Sequence, residues 1–171
     1  MTQATAHNTI SLIGMPGVGK STVGVVLAKL MGLDFLDTDL SIQSREGRTL
    51  QDILEEHGHL QLRQIEEEVL LEVPLDERVV ATGGSVVYSE TAMRRLLAAG
   101  PVVYLRADLG TLEQRVAANP LRGIASDADQ TFADIFAERT PLYERYATLT
   151  VDAVAGSADA VAARVLSAVS T

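Results

Sequence analysis

Gly14-Met15-Pro16-Gly17-Val18-Gly19-Lys20-Ser21 follows a four-residue apolar run, Ile10–Ile13, and leads into the apolar stretch Thr22–Met31. The first run is too short for a helix and stops at a glycine, as a strand does. Thr22–Met31 is apolar nearly all round and reads as a buried helix, with Gly32 as its C-terminal stop. Between them, the spacing G-x-x-x-x-G-K-S lets the backbone turn tightly and aim successive N–H groups at one anion. The following helix adds the positive end of its dipole. In such a loop Gly14, Gly17, Val18, Gly19 and Thr22 contribute backbone to a nucleoside triphosphate, Lys20 reaches the outer phosphates, and the Ser21 hydroxyl ligates Mg²⁺. The chain has two lysines, Lys20 and Lys29, so Lys20 is not one of many surface cations. Average composition would produce the full pattern by chance in under roughly one chain in a hundred of this length.

Outward from the loop, strand and helix patterns alternate. Phe35–Leu36 is a strand running into an acidic turn, Asp37-Thr38-Asp39. Thr49–His57 and Leu60–Val73 carry helical spacing, broken at Gly58. Arg78–Thr82 is a strand that stops at Gly83-Gly84. Thr91–Ala99 is an amphipathic helix with Ser89 as its N-cap. Val102–Leu105 reads as a strand and Leu112–Ala118 as a helix. Asn119–Gln130 lacks periodicity and reads as a mobile loop. Phe132–Tyr146 is mostly helical, Leu149–Val151 is a strand, and Ala158–Val169 is a last helix capped by Ser157. This alternation predicts an α/β fold, a parallel sheet with helices on both faces, whose ligands bind beyond the carboxyl ends of the strands.

Composition narrows the function. The chain has 171 residues, which predicts one domain over 1–171 with a full core. The net charge of −9 disfavours a nucleic-acid partner, which needs a basic face, but not a nucleotide held by a few placed cations. The absence of cysteine excludes a disulfide framework, a thiolate zinc site and a thiol nucleophile. No run of apolar residues is long enough to span a membrane, and the first nine residues lack a signal-peptide pattern, so a soluble, cytoplasmic chain is expected. No long apolar stripe is left over, which favours a monomer. The three histidines, at 7, 57 and 59, have no metal-ligand spacing.

A guanine-reading Asn-Lys-x-Asp is absent and the chain is short for a motor, so the loop points to a small-molecule kinase. Asp37 and Asp39 lie at i and i+2 past a strand. In extended backbone both carboxylates face one way, so Asp37 could serve the metal and Asp39 the attacking hydroxyl. Alone, the pair would be no more than two solvated turn aspartates. Arg63 has Glu66 and Glu67 three and four residues on, a spacing that lets the carboxylates hold its guanidinium, or that makes a weak surface ion pair. Arg139 sits in a helix beside Tyr143. Gly83 and Gly84, directly after a strand, either let a ligand approach the backbone or serve a turn needing positive φ. Two arginines converging on a ligand would hold a carboxylate or a phosphate in a fork. The acceptor implied is a small hydroxylated acid.

Taken in order, these motifs resemble shikimate kinase. The loop followed by Ser21–Gly24 is similar to the family's opening, and Phe35–Asp39 (FLDTD) to its second motif. Gly58–Leu70 (GHLQLRQIEEEVL) resembles its G-E-x-x-F-R-x-x-E segment, with His59 in place of the first Glu and Leu62 in place of Phe. Ala81–Ser85 (ATGGS) stands where the family has three glycines, Ser85 replacing the third. Arg122 opens the segment corresponding to the family's R-P-L-L lid. Glu138–Ala147 (ERTPLYERYA) follows its R-x-x-L-Y-x-x-x-A helix. The resemblance implies a three-layer P-loop NTPase fold with a five-stranded parallel sheet in the order 2-3-1-4-5. It also implies a substrate-binding segment near residues 40–70 and a lid over about 117–130. It implies ATP and Mg²⁺, with Lys20 and Ser21 on the phosphates and metal, Asp37 aiding the metal, and Asp39 orienting the acceptor hydroxyl and acting as base. Arg63 and Arg139 would hold the acceptor's carboxylate, with Gly83 and Gly84 offering N–H groups to it. Arg122 would close over ATP and stabilise the transferred charge, and Gly123 could give the lid its hinge. The reaction implied is shikimate and ATP to shikimate 3-phosphate and ADP, on the route to aromatic amino acids. The departures lie nearest the acceptor: Leu62 loses an aromatic wall and Ser85 adds a hydroxyl. A kinase for a related acid or alcohol such as gluconate, or a catalytically weak ATP-binding regulatory protein, stays open on the residues alone.

Overall fold

The computed structural model describes residues 8–119 and 124–171. Five strands, β1 (Ile10–Ile13), β2 (Asp34–Asp37), β3 (Arg78–Ala81), β4 (Val102–Arg106) and β5 (Leu149–Asp152), form one sheet in the order β2-β3-β1-β4-β5. Every neighbouring pair is parallel. This is the predicted order 2-3-1-4-5. Among the described residues seven helices accompany it: α1 (Lys20–Met31), α2 (Thr38–Glu46), α3 (Leu50–Glu72), α4 (Glu90–Ala99), α5 (Leu109–Ala117), α6 (Phe132–Tyr146) and α7 (Ala158–Val169), with a 3₁₀ turn at Val86–Tyr88.

The three middle strands are buried at successive positions except for Arg78 and Arg106 at their ends, and apolar there apart from Ser11. Successive side chains of a strand point to opposite faces, so both faces of the sheet are covered. α1 packs on α7 and on β3, while α3 packs on α4 and α6 on β4. A second, smaller core joins Ile42 of α2 to Ile53, Leu62, Ile65 and Val69 of α3, and Ala125 closes it. Leu62, which stands at the family's Phe position, is therefore filling this core.

Helix starts follow local chemistry. Thr49 and Thr131 each form a reciprocal capping box with the aspartate three residues on. Ser89, Asp108 and Ser157 accept from the backbone of α4, α5 and α7. Such caps contribute about 1 kcal/mol each. Asp108 starts α5 three residues before the expected Leu112.

One expectation about backbone is corrected. Asp37-Thr38-Asp39 is not an extended acidic turn. Asp37 ends β2 and caps α2: its Oδ1 accepts from the N–H of Asp39 at 2.9 Å and of Leu40 at 3.4 Å. Asp39 thus sits in the first turn of a helix, and the i, i+2 argument for parallel carboxylates does not apply. The cap satisfies helix donors that an extended chain would not present. No helix among the described residues is long and apolar enough to cross a membrane.

The site follows from the strand order. The chain crosses from β1 to β2 on one side and from β3 to β4 on the other, so the strand order reverses at β1 and opens a crevice at its carboxyl end. The glycine loop, Asp37 and Thr82–Gly84 all emerge on that edge.

Candidate active site

Gly19 caps α1 with φ 103 and without a side-chain bond, a conformation that favours glycine. The first N–H groups of α1 are thereby left for a ligand rather than a cap. Lys20, only 8% exposed, folds back on the loop, its Nζ donating to the carbonyls of Gly14 at 2.6 Å and Met15 at 3.0 Å. Ser21 Oγ donates to Asp37 Oδ2 at 2.6 Å. A hydroxyl from α1 and a carboxylate from the end of β2 so meet at one point beside the loop. This pair suits Mg²⁺, a hard cation that takes one or two protein oxygens and keeps water and phosphate for the rest. Among the described residues no cluster of three or more His, Asp or Glu offers an all-protein alternative.

Lys20 and Asp39 line the same cleft, of about 530 Å³, together with Gly17, Ser21, Thr82 and Gly84. Its far side is crowded at the glycine pair. A methyl on Gly83 would come within 2.7 Å of Glu66 Oε1 and 3.1 Å of Asp39 Oδ1. A methyl on Gly84 would come within 3.0 Å of both Arg139 Nη1 and Pro16 Cδ. Neither residue has a left-handed φ, so space, not turn geometry, demands glycine here. The expectation that both offer N–H groups to an acceptor needs correction: the Gly83 N–H donates to Thr38 Oγ1 at 3.1 Å. Thr38 takes that donor because α2 starts directly beneath the loop. The Gly84 carbonyl accepts from Tyr143 OH at 2.5 Å.

The two arginines converge. Arg139, 1% exposed on α6, donates from Nη2 to the Ala125 carbonyl at 2.8 Å. Arg63, on α3, donates to the same oxygen from Nε at 3.3 Å and Nη2 at 3.1 Å. Tyr88 supports both: its ring lies 3.8 Å from the Arg63 guanidinium carbon, and its hydroxyl accepts from Arg139 Nε at 3.4 Å. Glu66 and Glu67 do not hold Arg63 in the way the spacing suggested. Glu66 Oε2 accepts from Ser85 Oγ, and Glu67 Oε2 from Ser89 Oγ. Nearby hydroxyls reach these carboxylates from the segment after β3. The Ser85 hydroxyl is accordingly committed to Glu66.

Glu66 is 8% exposed. Burial pushes its carboxyl up to about 7; the Ser85 bond pulls it down, Asp39 pushes it further up, and Arg139 and Arg63 oppose that. Burial also raises the Tyr143 phenol, which stays a donor to the Gly84 carbonyl and stacks on Tyr104 with ring centres 5.2 Å apart. Arg122 and Gly123 lie outside the described residues.

Sequence reading passed over three contributors. Tyr88 and the inward role of Glu66 carry no motif of their own. Arg115 is the third: it lines a second cavity of about 320 Å³ on the other flank of the loop, with Gly17, Val18, Thr22, Ala153 and Gly156. Its guanidinium donates to the carbonyls of Val18 at 3.2 Å and Ala153 at 3.1 Å. Only its place late in an amphipathic helix was visible, and that marks most surface arginines too.

Comparison with known proteins agrees with this geometry. The shikimate kinase family model matches residues 16–170. The chain is 38% identical over 159 residues to the shikimate kinase of Mycobacterium tuberculosis (strain ATCC 25177 / H37Ra), covering 91% of this chain and 90% of that one. It is 39% identical over 142 residues to the shikimate kinase of Thermobifida fusca (strain YX), covering 82% of each. The structure of shikimate kinase from Acinetobacter baumannii in complex with shikimate superposes with a TM-score of 0.86 at 33% identity, over 93% of this chain and 90% of that one. The chain belongs to the shikimate kinase family.

Proposed function

We propose that the cleft transfers the terminal phosphoryl group of ATP to a hydroxyl of shikimate, giving shikimate 3-phosphate and ADP. The backbone of Gly14, Gly17, Val18, Gly19 and Thr22 cradles the phosphates, Lys20 neutralises the outer ones, and Arg115 flanks the nucleoside end. Ser21 and Asp37 would hold Mg²⁺, which when bound neutralises charge on the phosphate oxygens. Asp39 orients the acceptor hydroxyl and takes its proton as the oxygen bonds to phosphorus and the bond to ADP breaks. Arg63 and Arg139 grip the acceptor's carboxylate, and Gly83 and Gly84 leave it room. Arg122 adds positive charge at the transferred group.

The observation that carries this reading is the convergence of Arg63 and Arg139, from separate helices, on one oxygen, the Ala125 carbonyl. Two forked cations delivering donors to one oxygen are arranged as a carboxylate receptor is. With its carboxylate gripped there, a bound hydroxy acid would present an alcohol to Asp39 and the nucleotide. The loop, Asp39 and both arginines come from one chain, and a cytoplasmic monomer meets every requirement of the reading. A coupled ADP-release assay with shikimate, gluconate and nucleoside monophosphates tests it. Release dependent on shikimate is expected. Release driven by another acceptor, or nucleotide binding without acceptor-dependent release, would overturn it.

A further inference from the structure

Among the described residues neither Arg63 nor Arg139 makes an ion pair. The carboxylates three and four residues on from Arg63 bond instead to Ser85 and Ser89. Tyr88, half-buried after the 3₁₀ turn, touches both arginines. The centre of its ring lies 3.8 Å from the Arg63 guanidinium carbon and 5.4 Å from that of Arg139. Its hydroxyl accepts from Arg139 Nε at 3.4 Å and donates to Glu138 Oε1. Glu138 Oε2 accepts in turn from Gln130 Nε2 at 2.9 Å. The ring is thus fixed at its hydroxyl end by α6.

A long, flexible arginine grips a carboxylate well only if something holds it in place beforehand. A carboxylate bonded to Arg63 would orient it by occupying the N–H groups that an acceptor needs. An aromatic ring attracts a guanidinium through its quadrupole and occupies no N–H group. Arg63 Nε and Nη2 accordingly still point to the Ala125 carbonyl, where Arg139 Nη2 also arrives.

We infer that Tyr88 is a positioning residue for acceptor binding: its ring, anchored through its hydroxyl to Arg139 and Glu138, holds Arg63 in the orientation that grips the acceptor's carboxylate. This rests on the acceptor reading of the cleft.

The test measures kcat/KM for shikimate and the KM for ATP in full-length wild type, Tyr88→Phe and Tyr88→Leu. Each is made both with Arg63 and with Arg63→Ala. Tyr88→Phe keeps the ring and Tyr88→Leu removes it. With Arg63 present, kcat/KM for shikimate is expected to be about 3–30-fold lower in Tyr88→Leu than in Tyr88→Phe, as for a lost cation–π contact. With Arg63→Ala, that gap should shrink at least about threefold, because the ring then has only the longer contact to Arg139. The KM for ATP should not move with either substitution of Tyr88. Equal values in Tyr88→Phe and Tyr88→Leu would overturn the inference. A gap that shrinks less in Arg63→Ala would do so too, because it marks packing and not support of Arg63. A raised KM for ATP in Tyr88→Leu also counts against it. Should Tyr88→Leu not fold, Tyr88→Met, which fills space without a ring, is held to the same outcomes. A wild-type chain with no shikimate-dependent ADP release would overturn the acceptor reading and this inference together. An active wild type with no gap between Tyr88→Phe and Tyr88→Leu overturns the inference alone.

Discussion

Arg63 and Arg139 reach the same oxygen by different routes, and their environments separate the consequences of changing them. Arg139 is buried and tied to the Tyr88 hydroxyl and Ala125, so its loss would also disturb packing. Arg63 is less enclosed and rests on the Tyr88 ring, so Arg63→Ala reports more directly on the ligand. A charged hydrogen bond to a carboxylate is worth about 1.5–3 kcal/mol, a factor of roughly 10–100. Arg63→Ala is therefore expected to raise the KM for shikimate by about that factor and leave the KM for ATP unchanged in steady-state kinetics. Equal rises in both would contradict the clamp. Glu66 supports a second prediction, on stability. Its folded-state carboxyl is raised from 4.5 to about 7. Between those values the native chain binds more protons than the unfolded one, so the group's contribution to stability declines as pH rises through the window and is level above it. Glu66→Gln does not titrate. The stability of Glu66→Gln relative to wild type should thus increase by about 3 kcal/mol from pH 4 to pH 8, as read by urea unfolding. A pH-independent difference would show that Glu66 is not held in a desolvated site.

Among the elements, α3 needs a particular residue at its kink. Gly58 interrupts its helical path with φ 80 and ψ 172, yet a methyl there would meet nothing within 4 Å. The demand is conformational alone. Gly58→Ala should destabilise the chain by about 1–3 kcal/mol, seen as a lower urea midpoint with an unchanged m-value. An unchanged midpoint would mean that the kink is not required. This break was readable in the sequence because glycine interrupts an apolar period, and the Ser89 and Ser157 caps and the Gly32 stop were readable for similar local reasons. α2 was not. Its nine residues are mostly polar, and the Asp37 that starts it is equally suited to a turn. The same ambiguity misplaced the backbone under Asp39 while leaving its presence in the cleft correctly anticipated. Glu66 and Glu67 show the complementary limit. Helical spacing told which residues could reach Arg63, but serines from a segment nineteen and twenty-two residues away in sequence took those carboxylates instead. Periodicity reports neighbours along one helix and is silent about what another element brings.

Across the whole molecule, the proposed reading draws its nucleotide and acceptor groups from different parts of the fold. On the nucleotide side, Arg115 joins the loop after β1 to α5 and to the segment after β5, because it bonds to both Val18 and Ala153. On the proposed acceptor side stand Asp39 of α2, Arg63 of α3 and Arg139 of α6. The proposal therefore requires Asp39 for transfer and not for nucleotide binding. A ligand that binds only the folded chain stabilises it by about 2.7 kcal/mol at a hundredfold excess over its Kd, roughly 5–10 °C in Tm for a domain of this size. Asp39→Asn keeps the size of the side chain and removes the proton acceptor. In this variant ATP with Mg²⁺ is expected to raise Tm as far as in wild type, while shikimate-dependent ADP release falls to background. Arg115→Ala should show the opposite pattern, a weakened nucleotide shift at a given ATP concentration with an unchanged KM for shikimate. Thermal scans with and without nucleotide, paired with the ADP-release assay, separate the two. If Asp39→Asn lost the nucleotide shift as well, the carboxylate would belong to the nucleotide end, and the assignment of Asp39 to the acceptor would fail.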